Sequence, residues 1–260
     1  MKYGFIGCGN MGGAIAKALS KSTTDILLSD PYAAQKLADA LGCAAGTNES
    51  VVANCTKIFL AVKPQTLDAV LEPLRPILAE KKPLIISMAA GIEISRIETF
   101  CGCKLPVIRI MPNTPVAVGK GMITYCYNDL VSTDDLNDFL TDMQYAGQLD
   151  CINEKLMDAA TAVAGCGPAF MYMFLEAMAD GGVACGLTRD KALDYAAATM
   201  AGAAEMYKQT HLHPGALKDS VCSPGGSTIE GVKTLEECGF RGAVIDCVTA
   251  AYERNCELGK

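Results

Sequence analysis

The first half of the chain alternates short apolar runs with segments of helical period. Residues 2–6 predict an apolar strand, and residues 10–20 then place Met11, Ile15, Ala18 and Leu19 at helical spacing. Ile26-Leu27-Leu28-Ser29-Asp30 predicts a second strand, followed by a helix from Pro31 to Leu41. Lys57–Val62 predicts another strand, and Pro64 begins the next helix, where proline is tolerated. Leu84–Ser87 and Val107–Ile110 are further short apolar strands. Such near-continuous apolar strands, separated by helices, predict a parallel sheet covered on both faces. Residues 121–151 predict added strands, with a helix near 133–145, that close this domain.

From about residue 155 the texture changes. Strand signals fade, and Ala, Met, Leu and Gly dominate. The segment from Pro168 to Cys185 carries Phe170, Met173, Phe174, Ala177 and Met178 and is apolar on nearly all sides, so it must be buried. The helical part offers too little cover within one chain, which places this segment in a dimer interface. Gly186 ends the helix and Thr188 caps the next. The expected architecture is an α/β domain over residues 1–154, a doubly wound parallel sheet, followed by an all-α dimerisation domain over 155–260.

Composition removes several function classes. The 260 residues carry a formal net charge of −7, which argues against nucleic acid or an anionic membrane as the main partner. No apolar run is expected to span a bilayer. The N-terminus enters a strand directly, without the pattern of a signal peptide, so a cytoplasmic protein is expected. The 13 cysteines form no CxxC; the nearest approach is Cys101-Gly102-Cys103. They read as small core residues of a reduced protein. The two histidines, His211 and His213, share one short segment, so no metal site is expected.

Gly7-Cys8-Gly9-Asn10-Met11-Gly12 fits GxGxxG between the first strand, ending at Ile6, and the first helix. Gly7 permits a tight turn, Gly9 lets a pyrophosphate approach the backbone, and Gly12 lets helix pack on strand. The helix N-terminus offers free N–H groups to the phosphates. This context predicts a Rossmann-like site for NAD or NADP. Asp30, ending the second strand, suits a ribose 2′-hydroxyl and repels a 2′-phosphate, which favours NAD. Ser29 and Lys36 leave NADP open, and Asp30 can equally cap the helix beginning at Pro31. Ala61-Val62-Lys63-Pro64 and Met88-Ala89-Ala90-Gly91 follow strands at the carboxyl edge where such sheets bind ligands. Both also read as ordinary strand-to-helix turns.

The most distinctive stretch runs from His213 to Glu230. It predicts a helix, a tight Ser223-Pro224-Gly225-Gly226 turn, and a new helix starting near Ser227 and Thr228. Exposed N–H groups at that start suit a small carboxylate. A plain capped helix start is the other reading, since Ser and Thr are favoured there.

At this point the chain closely resembles the pyrroline-5-carboxylate reductases. The residues that carry the resemblance are Gly4–Met11, Ala61–Pro64, Met111-Pro112-Asn113-Thr114-Pro115, Gly165–Ala169, Asp180–Val183, Gly186-Leu187, Arg189, Lys218-Asp219 and Ser223–Gly226. They span essentially the whole chain. His211 departs from the acidic residue that some relatives carry before the His-Pro pair, and Ser227 replaces a small residue or Thr.

The resemblance implies reduction of 1-pyrroline-5-carboxylate to proline by hydride transfer from NADPH or NADH. It implies a homodimer with shared active sites, assembled further into rings such as a decamer of five dimers. By similarity, Asn48 and Ser220 approach the cofactor, and Thr228 faces the substrate ring nitrogen. The expected substrate site is Ser223, Gly225, Gly226, Ser227 and Thr228. Backbone N–H groups of Gly226, Ser227 and Thr228 hold the carboxylate there, Thr228 is the catalytic residue, and Asn113 and Pro115 line the pocket. Cys222 reads as a packing residue, His213 as a turn-former, Lys218-Asp219 as a surface pair or loop anchor, and Lys63 as a solvated group or a neutraliser of cofactor charge. Two other functions compete. A β-hydroxyacid dehydrogenase would need a catalytic lysine, for which the helices between 166 and 207 offer Lys191. A non-catalytic nicotinamide sensor would not need the polar loop.

Overall fold

In the computed structural model, which describes residues 1–258, the strands and helices of the N-terminal half alternate as the apolar pattern predicts. The order is β1 (Tyr3–Ile6), α1 (Asn10–Leu19), β2 (Ile26–Ser29), α2 (Ala34–Leu41), β3 (Ala44–Ala45), α3 (Asn48–Asn54) and β4 (Lys57–Leu60). There follow α4 (Leu67–Leu71), α5 (Arg75–Lys81), β5 (Leu84–Ser87), α6 (Ile94–Cys101), β6 (Val107–Pro112), β7 (Gly121–Tyr127), α7 (Thr133–Asp142) and β8 (Gly147–Cys151). The remainder is helical: α8 (Met157–Ala160), α9 (Gly167–Ala184), α10 (Arg189–Thr210), α11 (Pro214–Ser220), α12 (Ser227–Glu237) and α13 (Phe240–Leu258). The expected helix from Pro31 begins only at Ala34, and the β3–α3 step had no strong sequence signal.

The eight strands form one sheet in the order β3-β2-β1-β4-β5-β6-β7-β8. All pairs are parallel except β6 and β7, which are antiparallel. Only a short turn, Thr114–Val118, joins those two strands, and a connection that short cannot make a parallel crossover. Side chains alternate between two cores, one on each face. Tyr3, Phe5, Phe59 and Ile86 face one with Ile15, Leu19 and Phe139; Ile6, Ile58, Leu60 and Ile85 face the other with Val51, Leu71 and Ile97. Burial on both faces is why these strands read as unbroken apolar runs.

Charged groups clamp α7 against the amino ends of β1 and β4. Lys57 is buried, with its Nζ 2.9 Å from Asp135 and 3.1 Å from Asp138. Lys2 Nζ lies 2.7 Å from Asp142, whose carboxylate also accepts the Tyr3 hydroxyl at 2.8 Å. Both phenol and carboxylates respond. Burial, then the bond to Asp142, pushes the Tyr3 phenol up. Burial pushes Asp135 up, but hydrogen bonds from Lys57 and Ser132 outweigh it and leave it below the usual carboxylate range. The Lys57 hydrogen bond does the same for Asp138.

The chain divides into two compact units. One comprises Met1–Cys166 with Ala251–Lys260, and the other Gly167–Ala250. The texture change expected at 154/155 marks the start of a helical run that continues across this division, so composition changes before the packing does. In the first unit Arg109, on β6, is 2% exposed and lies 3.1 Å from Glu154 and 3.7 Å from Asp158. Glu154 also accepts the Ile94 N–H at 2.9 Å, so one carboxylate ties β6 and the start of α6 to the helical run. Asn255, from α13, donates to the Asp158 carbonyl at 3.3 Å.

One sequence expectation fails here. The helical run Glu154–Ala184 is long and apolar enough to cross a membrane by length and composition, and little of it is buried within one chain. In the second unit, α9 packs on α10 so closely that a Cβ on Gly182 would lie 3.1 Å from the Ala192 Cβ. Its other faces leave Met171, Tyr172 and Met173 exposed.

The Lys57 cluster makes a signed prediction. Its carboxylates titrate lower folded than unfolded, so their stabilisation is present above about pH 4 and is lost as pH falls through the folded values. Lys57→Met is expected to lower stability at pH 7 and to flatten the loss between about pH 5 and 2.5. Urea midpoints measured across that range check it; equal acid slopes for parent and variant would refute it.

Candidate active site

The predicted cofactor residues come off one edge of the sheet. Ser29, Ile6, Leu60 and Ser87 stand in register at the carboxyl ends of β2, β1, β4 and β5. The next residues extend the ladder: Gly7 N–H donates to Ser29, Ala61 to Ile6 and Met88 to Leu60. Gly7–Gly12, Asp30, Ala61–Pro64 and Met88–Ala90 are therefore brought together. Ile6 itself is 1% exposed and faces the core, so it supports the turn from beneath. Ala89 is likewise buried, whereas Met88 and Ala90 are half-buried. The Ser87 hydroxyl, fully buried, lies 3.4 Å from the Ala89 N–H and orders that turn.

The three glycines of the first turn have different jobs. Gly7 has φ +97°, and a Cβ there would stand 2.8 Å from the Ala61 carbonyl. A Cβ on Gly12 would fall 2.5 Å from the Gly7 carbonyl oxygen and 2.8 Å from the Ala61 Cβ. At Gly9 nothing lies within 4 Å of that place. The cradle is thus tight against β4 and open at Gly9. No side chain caps α1, and its first turn carries no acidic residue. The Asn10, Met11 and Gly12 N–H groups stand at a helix N-terminus where they suit the phosphates of a dinucleotide. The residues present fit that group.

Cys8 and Asp30 hold the turn's shape. The Asp30 carboxylate accepts the Cys8 N–H at 2.9 Å through Oδ2, and the Tyr32 and Ala33 N–H groups, each at 2.9 Å, through Oδ1. The capping reading of Asp30 is not realised, since α2 begins at Ala34 without a side-chain cap; the carboxylate instead closes the turn ahead of it and links that turn to the glycine turn. Burial pushes the carboxyl up, but the three N–H groups outweigh it and hold it below the usual range. Burial pushes the Cys8 thiol up to about 12, so it is no nucleophile at neutral pH. Asn48, first residue of α3, accepts the Ser29 hydroxyl at 2.7 Å, which brings it to the same corner. Lys63 is exposed at the start of the Pro64 turn.

Asn113 directly follows β6. It is 8% exposed, its Nδ2 donates to the Ala164 carbonyl at 3.0 Å, and its Oδ1 accepts the Met122 N–H at 2.9 Å. Both ends of the amide brace the protein. Ala164 belongs to a π-helical turn, Thr161–Gly165, whose widened hydrogen bonding accommodates this outside donor. That turn had no sequence signal, and neither had the brace. Pro115 is half-buried just beyond.

The second unit carries the rest. In Ser223-Pro224-Gly225-Gly226, Gly225 has φ +68° and Gly226 N–H donates to the Ser223 carbonyl at 3.0 Å. The Gly226 N–H is therefore closed within the turn, a correction to its expected role as a carboxylate donor. The N-cap of α12 is Gly226, with no side-chain cap. The capping reading of Ser227 and Thr228 is not realised, and both side chains are exposed. Ser220 donates to the Leu217 carbonyl at 2.7 Å, ending α11. The His213 Nδ1 accepts the Gly215 N–H at 3.0 Å and caps α11, as a turn-former would. His211 closes α10 with φ +51°, its ring edge-on to Tyr207. Lys218 and Asp219 pair at 2.7 Å on the surface. Lys191 is exposed in the first turn of α10. Among the described residues no group of acidic, His and Cys side chains is gathered to hold a metal. Two shallow cavities, about 500 and 340 Å³, open beside β3 and below β4 and β5, and none of the predicted residues lines either.

Comparison with known proteins supplies the family. The model described as "Pyrroline-5-carboxylate reductase dimerisation" matches residues 154–258, and "NADP oxidoreductase coenzyme F420-dependent" matches residues 2–91. The chain is 40% identical to a pyrroline-5-carboxylate reductase of Escherichia coli, covering 100% of this chain and 98% of that one. It is 39% identical to one of Pisum sativum, covering 98% and 95%. The solved Plasmodium falciparum pyrroline carboxylate reductase with NADP bound is 33% identical, with a TM-score of 0.91 over 100% of this chain and 98% of that one. A glycine cradle at a carboxyl sheet edge, an uncapped α12 and full-length likeness agree: this chain belongs to the pyrroline-5-carboxylate reductase family.

Proposed function

We propose that Gly7–Gly12, Asp30, Asn48, Ala61–Pro64 and Met88–Ala90 hold the nicotinamide cofactor, and that Ser223–Thr228 hold the substrate. As a member of its family the chain reduces 1-pyrroline-5-carboxylate to L-proline, the last step of proline biosynthesis, with NADPH or NADH. The cofactor supplies the hydride that the imine carbon accepts. The protein's part is placement and charge.

The observation that carries this reading is the start of α12. Its first N–H groups, on Ser227, Thr228 and Ile229, have no side-chain cap and adjoin a left-handed Gly225. A helix N-terminus left open in this way suits a compact carboxylate. With Gly226 closed into the turn, Ser227 and Thr228 are the anchors. A carboxylate fixed there sets the substrate ring against the Thr228 hydroxyl, which hydrogen-bonds the ring nitrogen. That bond favours the protonated iminium, whose carbon accepts hydride more readily, and orients the ring for transfer at about 3–3.5 Å. Asn113 acts here through the backbone it braces.

The chain is a homo-oligomer, in keeping with its dimerisation domain. The exposed Met171, Tyr172 and Met173 of α9 supply apolar surface for a homodimer with shared active sites. The resemblance to the family supports rings of five dimers and a cytoplasmic setting. The dehydrogenase alternative finds no support in the exposed Lys191.

Two experiments test these assignments. Oxidation of NADPH and NADH, followed by absorbance with 1-pyrroline-5-carboxylate, is expected to be rapid with at least one cofactor. Thr228→Ala should lower turnover about 10²-fold and Thr228→Ser much less; near-normal turnover of the alanine variant would remove Thr228 from its role. The cradle makes a second, contrasting prediction. Gly12→Ala is expected to lower Tm, because its Cβ has no room. Gly9→Ala should keep Tm and lose cofactor affinity, which calorimetric titration reads directly.

A further inference from the structure

We infer that this chain selects NADH over NADPH, and that the selecting group is Asp30, held as a fixed anion where the 2′ position of the adenosine ribose would lie. The inference rests on the reading that the Gly7–Gly12 cradle binds a nicotinamide dinucleotide. It concerns this chain's own residues and not the fold, since a solved relative holds NADP.

Asp30 cannot swing away. Three backbone N–H groups hold its two oxygens, one from the glycine turn and two from the chain just beyond β2. An ordinary surface aspartate relieves repulsion by rotating into water. This one would lose all three bonds by doing so. It also stays ionised at neutral pH, since those bonds hold its carboxyl low. An ionised carboxylate only accepts hydrogen bonds, so it welcomes a 2′-hydroxyl and opposes a 2′-phosphate of nearly two negative charges.

No cation among the described residues is paired with it, and the nearest in sequence is the exposed Lys36. From Ser29 to Ala34 the sequence is Ser-Asp-Pro-Tyr-Ala-Ala, without Lys or Arg. Among the described residues Asp30 has no ion-pair partner. The Ser29 hydroxyl, a natural phosphate donor, is turned to the Asn48 carbonyl oxygen at 2.7 Å. That leaves the Asn48 amide nitrogen as a neutral donor, enough for a hydroxyl and too little for a dianion.

The test is calorimetric titration of the intact protein with NADH and with NADPH, without substrate, at fixed ionic strength. The wild type is expected to bind NADH about tenfold or more tighter, roughly the effect of one unscreened charge contact. Asp30→Asn keeps an acceptor oxygen and removes the charge; it should bring the ratio near one by gaining NADPH affinity. Equal or tighter NADPH binding by the wild type overturns the inference, and it does so even where the variant fails to fold. A folded Asp30→Asn with an unchanged ratio also overturns it. Binding of neither dinucleotide overturns the cofactor reading and this inference with it, which separates the two failures.

Discussion

Everything at the sheet's carboxyl edge depends on how closely the first turn lies against β4. With the Gly7 and Gly12 backbones at van der Waals limits from Ala61, no side chain fits between turn and strand. That approach sets the direction of α1, and therefore where its free N–H groups stand. It also brings Cys8 to the end of β2, where Asp30 can take its N–H. A turn only slightly looser would leave the Cys8 N–H without that partner and the helix start elsewhere. The local chemistry follows from one packing constraint, to which Gly9, with no neighbour, is indifferent.

The same region shows how buried polar groups define geometry. Arg109 is too costly to bury unpaired, so Glu154 and Asp158 must follow it. Glu154 then also serves the Ile94 N–H, and so one carboxylate fixes the start of α6 and the start of the helical run relative to β6. Asn113 works likewise between the π turn and β7. Of these groups only Asn113 reads as a site residue by its place in the sequence, and both ends of its amide are bonded inward. Position beside a site and contact with a ligand are different properties.

Much of the architecture is legible in the sequence alone. Two-sided burial makes runs such as Lys57–Leu60 and Leu84–Ser87 unmistakable, and GxGxxG between strand and helix identifies the cradle. The legible features are those repeated along the chain. What was hidden is set by partners far apart in sequence. Whether Asp30 caps a helix or reaches Cys8 depends on how β1 and β2 register; it reaches Cys8 and closes the turn at Tyr32 and Ala33, ahead of α2. The Ala44–Ala45 strand is too short to carry a period. The closure of the Gly226 N–H within its turn turns on the left-handed Gly225, which composition permits and does not require. The antiparallel β6–β7 pair follows from a connection length, and the π turn from a donor that only the fold supplies.

The exposed apolar surface of α9 follows from the same physics as the buried strands. A helix apolar on nearly all sides packs one face on α10, and Gly182 lets it approach Ala192 closely. Two helices in contact cannot cover each other's remaining circumference, because each presents only a stripe to its neighbour. The rest needs another apolar surface, and a second copy of the same chain would bring one. Length and hydropathy alone would equally describe a membrane span. What separates the two is the neighbourhood. The α11–α12 turn on the same unit is polar, with an open helix start and the exposed hydroxyls of Ser227 and Thr228. Burying the apolar faces between copies leaves that turn in water; burying them in lipid would demand that the unit's charged pairs, such as Arg189 with Asp180, follow.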